Sequence, residues 1–152
     1  MTMNINTLAQ TMLSGSRKGF FRKKPIFSAH EKVSPSELSA LEKIILIQIP
    51  VDLRDWLLAV GYGDINEEIS FREEWFTAIE RGQLKGGAIF AQDILGNFYA
   101  FNPLGRIYYL SRSAPVFAAI AKDFFDFVEE LIRRDYKLVD WINTLETQRY
   151  EW

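Results

Sequence analysis

The chain has no cysteine, and its 152 residues include a single histidine, His30. Without cysteine there are no disulfides, no thiolate metal site and no sulfur nucleophile. With one imidazole, placed in the N-terminal segment, neither a multi-histidine metal centre nor a histidine-based triad is expected. The patterns GxSxG, GxxxxGK[ST] and HExxH are absent, so the common signatures of acyl transfer, phosphate cradling and zinc hydrolysis are missing. No run approaches the ~18 apolar residues of a membrane helix. The N-terminus has no uninterrupted apolar stretch before a small-residue cleavage site. Together with the missing cysteines these features lead to an expectation of a cytoplasmic protein with no membrane partner, no cofactor and no metal.

What is present is apolar and aromatic. Hydrophobic residues make up 48% of the chain, with 12 Phe, 6 Tyr and 4 Trp. This argues for a packed core, and it supplies side chains suited to interface anchoring. The net charge of −2 conceals an asymmetry: residues 1–30 carry Arg17, Lys18, Arg22, Lys23 and Lys24 and no acid, and the remainder carries 13 basic and 20 acidic residues. We divide the chain into a basic N-terminal extension, residues 1–33, expected to be partly mobile, with an edge strand near Ile26 and Phe27, and a single α+β domain, residues 34–152.

Ser34-Pro35-Ser36-Glu37 is a capping box with proline at the first helical position. It predicts a helix carrying Leu38, Leu41, Ile44 and Ile45 that stops before Pro50. A second helix is expected from Val51 to Val60, ended by Gly61, then a loop over 62–68. Ser70-Phe71-Arg72-Glu73 predicts a third helix ending at Gly82. The run 87–112 alternates as three strands, about 87–92, 97–102 and 106–111. They are joined by a loop from Asp93 to Asn97 and by the type I turn Asn102-Pro103-Leu104-Gly105. In the first loop Gly96 or Asn97 is expected at positive φ. These strands are apolar on both faces, so each face needs a cover. A long amphipathic helix over 114–134, presenting Phe117, Ile120, Phe124, Phe127 and Leu131, can cover only one; a last helix is expected over 138–147.

Chemistry is hard to place on this frame. Glu67, Glu68, Glu73 and Glu74 have the residue types of a paired-carboxylate hydrolase or an oxygen-ligand metal site. Glu73 and Glu74, however, fall where acids favour a helix N-terminus. Gly61-Tyr62-Gly63 follows a helix and lacks the third glycine of a nucleotide loop. Asp93 is placed to hydrogen-bond the backbone of its own turn or to meet a partner. Basic residues are nearly absent from the aromatic strands, so no nucleic acid is expected.

Several segments in order resemble the SUKH superfamily, named for fungal cell-wall synthesis regulators and the bacterial immunity proteins grouped with them. The likeness runs through Leu41-Glu42 and Ile49-Pro50-Val51-Asp52-Leu53-Arg54-Asp55-Trp56-Leu57 to Gly61-Tyr62-Gly63. It continues in Asp93 with Gly96-Asn97-Phe98-Tyr99, in Gly105-Arg106-Ile107-Tyr108-Tyr109 and in Ile120-Ala121-Lys122-Asp123-Phe124-Phe125-Asp126-Phe127, covering roughly residues 34–134. The strand ending Leu110-Ser111-Arg112-Ser113 departs from that pattern.

The resemblance implies an α+β fold, a curved antiparallel sheet wrapped by helices, and a non-catalytic protein-binding role. The implied partner is a cognate bacterial toxin, a nuclease among the options, neutralised by stoichiometric binding. A scaffold or adaptor of the same fold is the alternative, and a carboxylate hydrolase ranks last. The expected contact surface combines Asp93, Tyr99, Arg106 and Tyr108 at the sheet face or its rim with the acidic loop Asp64, Glu67 and Glu68. Its acidic character suits a basic partner.

Overall fold

In the computed structural model, which describes residues 4–18 and 23–152, Asn4 caps a helix that the sequence reading left unassigned. This helix, α1, spans Ile5–Ser14, and the Asn4 side chain accepts from the Thr7 amide at 3.0 Å. Its buried stripe, Ile5, Leu8, Ala9 and Met12, follows helical spacing and joins the main core. The boundary drawn at residue 33 therefore shifts: residues 5–12 belong to the body. Short strands β1 (Ser16–Lys18) and β2 (Lys23–Pro25) pair with each other, and β3 (Phe27–Glu31) forms the expected edge strand, pairing with residues 62–65. Of the basic residues of this segment, Arg22 lies outside the described residues.

The next two helices match their end signals. Helix α2 is Pro35–Ile45; the Ser34 hydroxyl accepts from the Glu37 amide and donates to its carboxylate. Helix α3 is Val51–Val60, with Gly61 at φ 82° behind it. The structure then departs from expectation. Residues 62–68 are not a loop but β4 (Tyr62–Ile65) and a turn, and the third helix is replaced by β5 (Ile69–Phe71), a single 3-10 turn at Glu73–Trp75 and β6 (Thr77–Ala78). Ile69 and Phe71 are buried, and pairing β5 with β4 and β7 outweighs the local capping signal.

Strands β7 (Ala88–Asp93), β8 (Phe98–Phe101) and β9 (Ile107–Leu110) stand where the alternation placed them, and Gly96 has φ 84°. The expected long helix divides. Val116–Ala121 is strand β10 and only Phe124–Arg133 is helix, α4. The side chain of Asp123 accepts from the Asp126 amide at 2.7 Å and starts α4 there. Phe117 and Ile120 thus lie on a strand, while Phe124, Phe127 and Leu131 form the helical stripe. The last predicted helix shortens to α5 (Leu138–Ile142), followed by β11 (Gln148–Arg149).

Nine strands make one open antiparallel sheet in the order β11-β10-β9-β8-β7-β5-β4-β3, with β6 also on β7, in an α+β fold. Its inner face carries Phe71, Phe90, Tyr99, Phe101, Ile107 and Tyr109 under α1, α3 and α4. Trp56 of α3 lies at the centre, with ring centroids 4.6 Å from Phe71, 5.3 Å from Phe27 and 5.4 Å from Phe124. Its indole N–H is the one buried side-chain polar group without a partner among the described residues. The outer face carries Ala100, Leu110 and Phe117, flanked by half-buried Phe98 and Tyr108. Its cover is not a helix: Ile79 and Leu84 from the segment before β7 and Tyr150 from the C-terminal segment close over it. The Tyr150 hydroxyl donates to the Arg81 carbonyl, and Gln83 bonds both the Arg149 carbonyl and the Glu151 amide. Among the described residues no helix is long and apolar enough to cross a membrane.

Candidate functional site

Asp93 ends β7, and its carboxylate organises the hairpin that follows. Oδ1 accepts from the Leu95 and Asn97 amides at 2.9 and 3.0 Å; Oδ2 accepts from Asn97 Nδ2 at 3.1 Å and from the Tyr99 hydroxyl at 2.8 Å. The Asn97 side-chain oxygen in turn accepts from the Arg112 amide at 3.0 Å, joining the β9–β10 connection to the same knot. Asp93 is 7% exposed and Tyr99 fully buried. Burial first, then the adjacent Asp93 carboxylate, pushes the Tyr99 phenol well above its ordinary pKa, so it stays a protonated donor.

This corrects the expected contact surface: Tyr99 offers nothing to a partner, and Asp93 is committed to its own turn. What the knot does present is Ile94 and Leu95, 67% and 55% exposed at the hairpin tip. The neighbouring tip, between β4 and β5, abuts it. Asn66 and Glu67 there have positive φ, and the Glu68 carbonyl accepts from the Ile94 amide at 2.9 Å. The structure therefore brings Glu67, Glu68, Ile94 and Leu95 into one rim. Beside it opens a shallow hollow of about 430 Å³ lined by Leu95, Asn97, Tyr109, Arg112, Ile142 and Asn143, among others. The sequence showed the Asp93 turn, but not that its two aliphatic residues would stand outward.

The remaining expected residues lie elsewhere. Arg106 is exposed at the Asn102–Arg106 turn, at the opposite end of β8 and β9, where its amide donates to the Asn102 side chain. Tyr108 is half-buried on the outer face, its ring 6.3 Å from Phe117. Asp64 lies on that face too, with partners that sequence reasoning missed: it accepts from the Ser70 hydroxyl on one oxygen and pairs with His30 Nε2 at 2.9 Å on the other. Cross-strand register explains the grouping, since Ser28, Asp64, Ser70 and Gln92 face one another across β3, β4, β5 and β7. The carboxylate stands between serine and imidazole, so His30 is not the acceptor of the Ser70 proton and the connectivity differs from a nucleophilic triad.

Glu67 and Glu68 lie at one end of β5, and Glu73 and Glu74 at the other, so the four carboxylates do not converge. Among the described residues no group of three or more His, Asp or Glu side chains is arranged to hold a metal.

Neither family models, nor curated proteins, nor solved structures gave a match to this chain.

Proposed function

We propose that this chain acts by binding a protein partner stoichiometrically, without turnover, through the rim of Glu67, Glu68, Ile94 and Leu95. The observation that carries this reading is the Asp93 knot, which displays two large aliphatic side chains on a turn already fixed by four side-chain hydrogen bonds. An anchor held in its bound shape loses little conformational entropy on association. Burying each aliphatic side chain is worth about 1.5–3 kcal/mol, and the acids beside them steer a basic partner. The SUKH resemblance makes a bacterial toxin, a nuclease in particular, the partner we propose, with this chain as its immunity protein.

The test starts from a pull-down in the native cell with wild type and with Ile94→Asp/Leu95→Asp, the captured protein being identified by mass spectrometry. That protein is then purified, and association rates and protection from its toxicity are measured at two salt concentrations. Wild type should bind one-to-one and protect. The double variant should lose both functions, and Glu67→Lys/Glu68→Lys should associate more slowly, the difference shrinking as salt rises. Full protection by both variants would remove the rim from the site. Turnover by the purified chain that a single carboxylate substitution abolishes would overturn the binding role itself.

A further inference from the structure

At the end of the sheet away from the rim, the chain exposes two large aliphatic side chains, Leu104 at 79% and Val51 at 73%. They come from the β8–β9 turn and the start of α3. The chain packs these two segments together, with Pro50 against Gly105. A groove of about 600 Å³ runs along this junction, with an apolar lining of Ile49, Pro50, Val51, Leu104 and Phe125. Asp52, Asp55 and Asp123 also line it, and among the described residues no lysine, arginine or histidine does.

The carboxylates are not equivalent. Asp52 ties the start of α3 to the start of α4, accepting from the Leu53 amide at 2.9 Å and the Phe125 amide at 2.8 Å. Asp123 caps α4. The Asp55 carboxylate has no hydrogen-bond or ion-pair partner among the described residues. The N-termini of α1, α3 and α4 all border the groove and contribute roughly +0.5 charge each, leaving a net negative charge of about 1.5 beside the apolar lining.

From this combination we infer that the groove is a docking site for a linear segment of a partner protein in which an aliphatic or aromatic side chain is flanked by lysine or arginine. The apolar lining gives the anchor a place to leave water, and the carboxylates select its cationic neighbours. The same carboxylates repel nucleic-acid backbones and anionic membrane surfaces, which the exposed aliphatic residues alone would not exclude. The site is separate from the rim and stands whether or not the rim holds a toxin.

The test uses the full chain, labelled with ¹⁵N, and two blocked amphipathic peptides, one of leucine and lysine, the other with glutamate in place of lysine. The lysine peptide should shift the amide resonances of Val51, Leu104 and Phe125 and leave Ile94 and Leu95 unmoved; the glutamate peptide should shift none of these. Asp55→Lys and Leu104→Ser change exposed or half-exposed side chains, and each should weaken the lysine peptide about tenfold with an unchanged melting temperature. The inference is overturned if the peptide shifts only resonances outside the groove, if the glutamate peptide binds equally well, or if both variants bind like wild type. Phosphatidylglycerol vesicles that shift the same groove resonances would replace the protein segment with a membrane.

Discussion

Asp93→Ala removes the acceptor of four hydrogen bonds, and the cost follows from where the donors are left. Leu95 is at the exposed tip, and its amide can turn to water. The Tyr99 hydroxyl, the Asn97 amide and Asn97 Nδ2 cannot, because Tyr99 is fully buried and Asn97 only 7% exposed. Each buried donor left without an acceptor costs about 1–3 kcal/mol. After local relaxation the variant should lose about 3–6 kcal/mol, a large share of the ~5–15 kcal/mol that holds a domain together.

Asp93→Ala/Tyr99→Phe separates this account from simple loss of a turn residue. With the tyrosine hydroxyl gone, one orphaned donor disappears. The double variant should therefore be more stable than the sum of the single losses by about 1–2 kcal/mol. Urea unfolding followed by tryptophan fluorescence gives both numbers, with the midpoint moving and the slope unchanged. A loss below about 1 kcal/mol for Asp93→Ala, with strict additivity in the cycle, would refute the reasoning.

Phe124→Ala should cost about 3–5 kcal/mol in the same assay, since its fully buried ring contacts Trp56, Phe71, Phe90 and Phe127; a loss under about 1 kcal/mol would place Phe124 outside the core. Burial raises the pKa of Tyr62, Tyr99 and Tyr150 in the folded chain, with nearby acids such as Glu73 adding to the effect at Tyr62 and Asp93 at Tyr99. The unfolded chain then loses these protons first, at its ordinary tyrosine pKa of about 10. Their stabilising contribution is complete below that value and falls as pH rises above it toward the folded-state pKa values. Urea midpoints that stay constant from about pH 9 to about pH 11 would contradict this.

The elements that could be read from the sequence are those whose signals are local. Ser34 and Glu37 mark α2 within four residues, Gly61 closes α3, and Asp93 with Gly96 and the Asn102–Gly105 turn set the β7–β8–β9 register. Elements that depend on distant partners were misread. Val116–Ala121 fits a strand as well as a helical stripe, and a short apolar run carries no period that decides between them. Pairing with β9 settles it, and the Asp123 cap inside the expected helix is the local mark of where α4 starts. Ile69–Phe71 looked like a helix start because its pairing with β4 and β7 is not written in its own residues. The spacing of Ile5, Leu8, Ala9 and Met12 behind Asn4 is a local helix signal of the same kind. At the candidate site, the Asp93 turn was legible; the burial of Tyr99 and the meeting of His30, Asp64 and Ser70 depend on strand order.

The cover of the outer face has a kinetic consequence. Tyr150 reaches the Arg81 carbonyl across 69 residues of chain, and α1 packs on α4, more than a hundred residues away. These contacts close large loops before they return any energy, and chains dominated by such pairings fold in milliseconds to seconds. Until Tyr150 arrives, Ala100, Leu110 and Phe117 have only Ile79 and Leu84 over them on a formed sheet. The refolding chain should therefore pass through a state that binds a hydrophobic dye and then releases it, and its aggregation hazard is concentrated in that interval.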